Sequence, residues 1–142
     1  MKRIGILTSG GDCGGLNAAV RSIFYRAKQK YNLEVYGILE GTVGLMERPP
    51  LYVKLTYNTF SGNLIRQGGK FLGTTNKGNP FKYPMGDGTF KDRTAEIVGG
   101  YHELGLDGLI VIGGDGCMKI LKEVADKGKL NIVAIPKTID ND

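Results

Sequence analysis

Residues 108–135 read GLIVIGGDGCMKILKEVADKGKLNIVAI. Gly108 to Ile112 is a short, unbroken apolar run, the pattern of a strand buried on both faces. Gly113-Gly114-Asp115-Gly116 follows as a loop, Cys117 to Lys127 reads as a helix, and Asn131 to Ile135 as a second buried strand. Strand, glycine loop, helix and strand in that order make a βαβ unit. Such a unit joins parallel strands.

The same grammar opens the chain. Arg3 to Thr8 is an apolar strand, Ser9 to Gly15 (SGGDCGG) a loop, and Leu16, Ala19, Val20, Ile23, Phe24 and Ala27 recur at helical spacing. That helix is predicted over residues 15–30, with a second strand from Leu33 to Leu39 closed by Glu40-Gly41. Between 42 and 91 the rhythm breaks. A short helix is expected around Ser61 to Arg66 and a turn at Gly86-Asp87-Gly88; a loop region this long is usually functional or mobile. Asp92 to Leu104 is predicted helical, with Gly105 as its stop. The expected fold is α/β: a doubly wound, mostly parallel sheet flanked by helices, a Rossmann-like three-layer sandwich. Residues 1–142 form one nucleotide- or phosphate-binding domain, with no internal boundary.

Composition narrows the function. Charged residues are 23% and hydrophobic residues 41% of the chain, ordinary for a globular protein. No window approaches 18 apolar residues, and the apolar run after Met1-Lys2-Arg3 is too short for a signal peptide. A cytoplasmic protein with no membrane partner is expected. The net charge of +5 and pI near 9.2 could suit nucleic acid, but the basic residues are scattered and no aromatic-interleaved motif accompanies them, so no nucleic-acid partner is expected. Cys13 and Cys117 are too far apart for a metal motif, and the single His102 reads as surface.

The 23 glycines are the outlier, and they cluster behind apolar runs. Gly10-Gly11-Asp12 and Gly113-Gly114-Asp115 each lie between a strand and a helix. Glycine lets backbone approach a phosphate, and a helix N-terminus offers free N–H groups with partial positive charge. An Asp there would be repelled by phosphate oxygens unless a cation sat between them, which makes Asp115 a natural Mg²⁺ ligand. The plain alternative is a tight turn with a capping Asp. Neither G-x-x-x-x-G-K-[ST] nor G-x-G-x-x-G is present, which argues against a P-loop and a dehydrogenase.

The chain ends on Pro136-Lys137-Thr138-Ile139-Asp140-Asn141-Asp142, directly after the last apolar run. Ligands in open α/β sheets bind beyond the carboxyl ends of strands. In extended backbone, Asp140 and Asp142 would project to one side, about 6–7 Å apart. One could take a proton while the other orients a cation or metal-bound water. A solvated acidic turn is the plain reading.

Together these segments resemble the N-terminal half of a 6-phosphofructokinase. The resemblance rests on residues 4–12 (IGILTSGGD), 16–21 (LNAAVR), 68–73 (GGKFLG), 112–116 (IGGDG) and 136–142 (PKTIDND), and it spans the chain in order. GGDG alone is shared with NAD kinases and lipid kinases; its combination with PKTIDND is specific. The family implies ATP as phosphoryl donor, fructose 6-phosphate as acceptor and Mg²⁺ as cofactor. It implies that Gly11, Lys77, Gly78, Gly114, Asp115, Gly116 and Cys117 line the nucleotide site, with Asp115 on the metal. Lys137, Thr138, Ile139 and Asp140 would meet the sugar phosphate, Asp140 as general base and Asp142 assisting. Gly116 leaves room for a nucleotide's α-phosphate where pyrophosphate-using relatives carry Asp. Lys137 is typical of the pyrophosphate branch and of a mixed, ATP-using branch similar to it; an ATP enzyme of the mixed branch fits both. A pyrophosphate-dependent enzyme, and a non-catalytic nucleotide-binding remnant acting by assembly with another chain, are the alternatives. The family departs from this chain at Gly14, where Pro is usual, and at Thr42, where bacterial ATP enzymes tend to have an aromatic. It also continues into a second domain, absent here, and its full-length form is expected to be a homo-oligomer. The isolated half is expected to be weak or inactive.

Overall fold

The computed structural model describes residues 2–9, 16–60, 72 and 80–136. The strands are β1 (Arg3–Thr8), β2 (Glu34–Ile38), β3 (Tyr52–Lys54), β4 (Tyr83–Pro84), β5 (Phe90–Lys91), β6 (Gly108–Gly113) and β7 (Ile132–Pro136). The helices are α1 (Leu16–Tyr31), α2 (Val43–Met46), α3 (Thr94–Glu103) and α4 (Asp115–Gly128). The main sheet has the order β3-β2-β1-β6-β7. All its pairings are parallel except β2–β3, so the expected mostly parallel sheet is what forms.

Strand alternation sorts the core into two layers of cover. Ile4, Ile6, Val35 and Ile112 meet α1 through Val20, Phe24 and Ala27. On the opposite face Leu7, Ile38, Leu109 and Val111 meet α2, α3 and α4 through Leu45, Met46, Ile97, Tyr101, Leu121 and Val124. Ile6, Leu7, Phe24, Val35, Ile38, Val111 and Val124 are all fully buried. Burying each such side chain favours folding by about 1.5–3 kcal/mol, so the three layers are held chiefly by these rows.

Close backbone approach sets the packing of α2. A Cβ on Gly100 of α3 would lie 2.2 Å from the Leu45 carbonyl oxygen, and one on Gly44 would lie 2.3 Å from the Leu39 carbonyl oxygen. Gly105 stops α3 with φ +68°, as its position after the helix predicts. Asp92 lies just outside α3, where its carboxylate accepts from the Thr94 N–H at 2.9 Å and from the Thr94 hydroxyl at 2.6 Å. Gly86-Asp87-Gly88 does form a turn, joining β4 to β5, with both glycines at positive φ. The helix expected around Ser61 to Arg66 lies outside the described residues.

Two expectations need correction. The stretch Gly113 to Gly116 is not all loop: α4 starts at Asp115, two residues early, because Gly114 is extended (φ −86°, ψ 175°) and its carbonyl accepts the Met118 N–H at 3.1 Å. The last strand is not buried among the described residues either. Val133 is 55% and Ile135 36% exposed, because α1 covers β1 and β2 and stops short of β7.

Candidate functional site

Parallel pairing decides where the loops emerge. Thr8 is opposite Ile112, and Gly113 is opposite Pro136. The exits of β1, β6 and β7 therefore share one rim. With adjacent strands about 5 Å apart, they span about 10 Å. The Ser9 N–H donates to the Ile112 carbonyl at 2.9 Å, carrying the β1–β6 ladder one residue beyond β1.

From β1 the chain crosses by α1 to β2, and from β6 it crosses by α4 to β7, in the opposite direction and over the opposite face. The gap between β1 and β6 is thus the switch point of the sheet, the place where open α/β folds leave a crevice for ligands. Both glycine loops leave from strands bordering that gap.

Gly114 is the N-cap of α4, and among the described residues no side chain caps the helix. The first-turn N–H groups of Asp115, Gly116 and Cys117 have no acceptor within the helix, and they carry the positive end of its dipole. A Cβ on Gly114 would meet no atom within 4 Å, so packing does not call for glycine there.

Another predicted segment starts near this rim. The Leu72 carbonyl accepts the Glu40 N–H at 2.9 Å, just past the end of β2. Leu72 is buried, and a Cβ on Gly37 would lie 2.6 Å from its side chain. Gly37 and Leu72 thus anchor the chain as it enters the stretch carrying Lys77 and Gly78. Leu72 belongs to the GGKFLG segment that carries the family resemblance, while Gly37 went unremarked, although a glycine inside a strand signals close approach by a neighbour.

Of the predicted site residues, Gly114 and the backbone of Asp115, Gly116 and Cys117 come together at this rim. Gly11, Lys77, Gly78, Lys137, Thr138, Ile139, Asp140 and Asp142 lie outside the described residues. Their flanking residues Ser9, Leu16, Leu72, Pro80 and Pro136 are described, and His102 is exposed, as expected. Among the described residues no group of three His, Cys, Asp or Glu could hold a metal.

Among the described residues, two carboxylates with lowered pKa fasten the opposite rim. Asp107, before β6 on the opposite rim, accepts from the Lys2 and Arg3 N–H groups at 2.8 and 3.0 Å, which hold its carboxyl below the usual range. Glu34, at the start of β2, is lowered chiefly by its hydrogen bond from Arg3. Both fasten strand beginnings, and their role is structural.

Known proteins agree with this geometry. The Phosphofructokinase family profile matches residues 3–142. The chain is 58% identical over its full length to "ATP-dependent 6-phosphofructokinase 1" of Synechocystis sp., covering 39% of that protein. It is 56% identical over 99% of its length to "ATP-dependent 6-phosphofructokinase 1" of Nostoc sp., again covering 39%. The crystal structure of Pichia pastoris phosphofructokinase in the T-state superposes with a TM-score of 0.74 at 28% identity, over 99% of this chain and 15% of that one. The chain therefore spans about two-fifths of the length of the curated relatives it matches.

Proposed function

Because this chain belongs to the phosphofructokinase family, we propose that its rim of strand ends is one wall of a cleft in which a phosphoryl group passes from ATP to the 1-hydroxyl of fructose 6-phosphate, a step of glycolysis. The observation that carries the reading is the glycine-capped N-terminus of α4 at the switch point of the sheet, on the same rim as the exits of β1 and β7.

The first-turn N–H groups of α4 hold phosphate oxygens, and Gly11, Lys77, Gly78, Gly114, Gly116 and Cys117 line the nucleotide. Asp115 is the residue that would hold Mg²⁺, which when bound offsets negative charge on the phosphates. Lys137, Thr138 and Ile139 contact the sugar phosphate. Asp140 accepts the proton of the 1-hydroxyl as the new O–P bond forms, and Asp142 orients the acceptor. The remaining catalysis is positioning and stabilisation of charge on the transferred group. ATP is favoured over pyrophosphate as donor by the glycine at 116 and by the names of the similar proteins.

Calorimetry with Mg·ATP and with Mg·pyrophosphate tests the donor site. Binding of Mg·ATP that is lost in Asp115→Ala supports it; equal Mg·ATP affinity in wild type and variant removes Asp115 from the metal. A chimera in which residues 1–142 replace the matching stretch of the Synechocystis relative tests the base. Asp140→Ala should abolish its turnover while leaving nucleotide affinity within about twofold.

A further inference from the structure

A fourth strand exit stands on the ligand rim, and it carries a carboxylate. In the parallel pair β1–β2, Gly37 is opposite Ile6, which brings Glu40 level with Ser9. Thr8 is opposite Ile112, which brings Ser9 level with Gly113. Glu40 therefore lies two strand spacings from the exit of β6, about 10 Å along the rim, on the side away from β7.

The backbone at this exit is held in an uncommon form. Glu40 has φ +60°, and so has Gly41 after it. Glycine adopts that conformation freely. A residue with a side chain adopts it at a cost, and such residues cluster at ligand sites. The form is fixed on both sides: the Glu40 N–H donates to the Leu72 carbonyl at 2.9 Å, and the Glu40 carbonyl accepts the Val43 N–H at 3.2 Å. The side chain is exposed, and among the described residues its carboxylate has no hydrogen-bond or ion-pair partner. Glu34, Asp87, Asp92, Glu96 and Asp107, by contrast, each accept a hydrogen bond within the fold. Among the described residues, then, no contact accounts for a glutamate where glycine would be unstrained.

We propose that Glu40 receives the ribose hydroxyls of the donor nucleotide. With phosphates at the end of α4 and the acceptor at the exit of β7, the group that is transferred faces β7. The nucleoside, at the other end of the donor, runs the opposite way, over β1 toward β2. Leu72, bonded to Glu40, leads into the stretch that carries Lys77 and Gly78, so these nucleotide-lining residues follow from the same exit. The end of β2 is also where a carboxylate meets a ribose in dinucleotide-binding sheets. Its two oxygens accept from neighbouring hydroxyls, and the neutral diol calls for no cation. This assignment rests on the proposed ATP site and adds the residue that tells a nucleotide from a bare polyphosphate.

Titration calorimetry of the chain with Mg·ATP, Mg·2′-deoxyATP, Mg·3′-deoxyATP and Mg·tripolyphosphate tests it. Glu40→Ala should weaken Mg·ATP about ten- to a hundredfold, by loss of hydrogen bonds to a charged group, and leave Mg·tripolyphosphate within about twofold. Removing a ribose hydroxyl should weaken binding to the wild type about tenfold and to Glu40→Ala less than about twofold, because the partner is already gone. Glu40→Gln keeps the length and one acceptor oxygen, so it should lose less ATP affinity than Glu40→Ala, with tripolyphosphate again unaffected. Equal penalties for the deoxynucleotides in wild type and Glu40→Ala would overturn the assignment and leave the ATP site standing. So would an equal loss of ATP and tripolyphosphate in both variants. A wild type that binds neither Mg·ATP nor Mg·tripolyphosphate would instead remove the ATP reading, and the assignment with it.

Discussion

Replacing Gly114 by serine should strengthen the fold and weaken the site. The backbone at 114 is extended, as an N-cap requires, and a Cβ there meets nothing within 4 Å. Serine would bond to a first-turn N–H that has no capping side chain among the described residues. At an N-cap the net gain over glycine is a few tenths of a kcal/mol, a rise of about 1–2 °C in Tm for a chain of this size. The same hydroxyl would occupy a donor that a phosphate needs. A hydrogen bond to a charged group contributes about 1.5–3 kcal/mol, so Mg·ATP should bind about ten- to a hundredfold more weakly. Gly114→Ala separates the causes: it adds bulk without an acceptor, and alanine is a much poorer N-cap than glycine, so it should lower Tm and spare more of the binding. Scanning calorimetry and titration calorimetry on the same samples read both quantities. A Tm that falls in Gly114→Ser would refute the packing argument, and an unchanged affinity would refute the placement of phosphate at the end of α4.

Gly100→Ala should cost about 1–3 kcal/mol or more in urea unfolding, because its Cβ would press on the Leu45 carbonyl, which cannot swing aside as a side chain could. Phe24→Ala, at a fully buried position in an aromatic cluster with Tyr25, Tyr57 and Phe60, should cost about 3–5 kcal/mol by the same assay. Asp107 has its pKa lowered by folding, so its contribution is present above its unfolded value and is lost as pH falls through the folded one. The Tm of the wild type should thus drop below about pH 4, while Asp107→Asn should start lower at neutral pH and lose less on acidification.

The elements legible in the sequence are those whose apolar pattern matches their burial: Arg3–Thr8 and Gly108–Gly113 as unbroken runs, and α1 through Val20, Phe24 and Ala27. What escaped has no such pattern. The residues of β3 are all exposed, and the strand exists through its pairing with β2. The four residues of α2 are held by the close approach at Gly44 and Gly100, which sequence spacing does not show. At the site, the start of α4 was misplaced because an extended Gly114 serves as a cap and reads as loop. The apolar run of β7 was read as a buried strand, and the cover that would bury it is not among the described residues.

The most direct measurement is a titration of the 15N-labelled chain with Mg·ATP, followed amide by amide. If the shared rim binds the phosphates, the largest shifts fall on Ser9 and on Gly116 to Met118, while Leu33, Asp107 and Asn131 at the opposite rim stay still. Shifts centred on the opposite rim, or none at Gly116 to Met118 once ATP saturates, would contradict it.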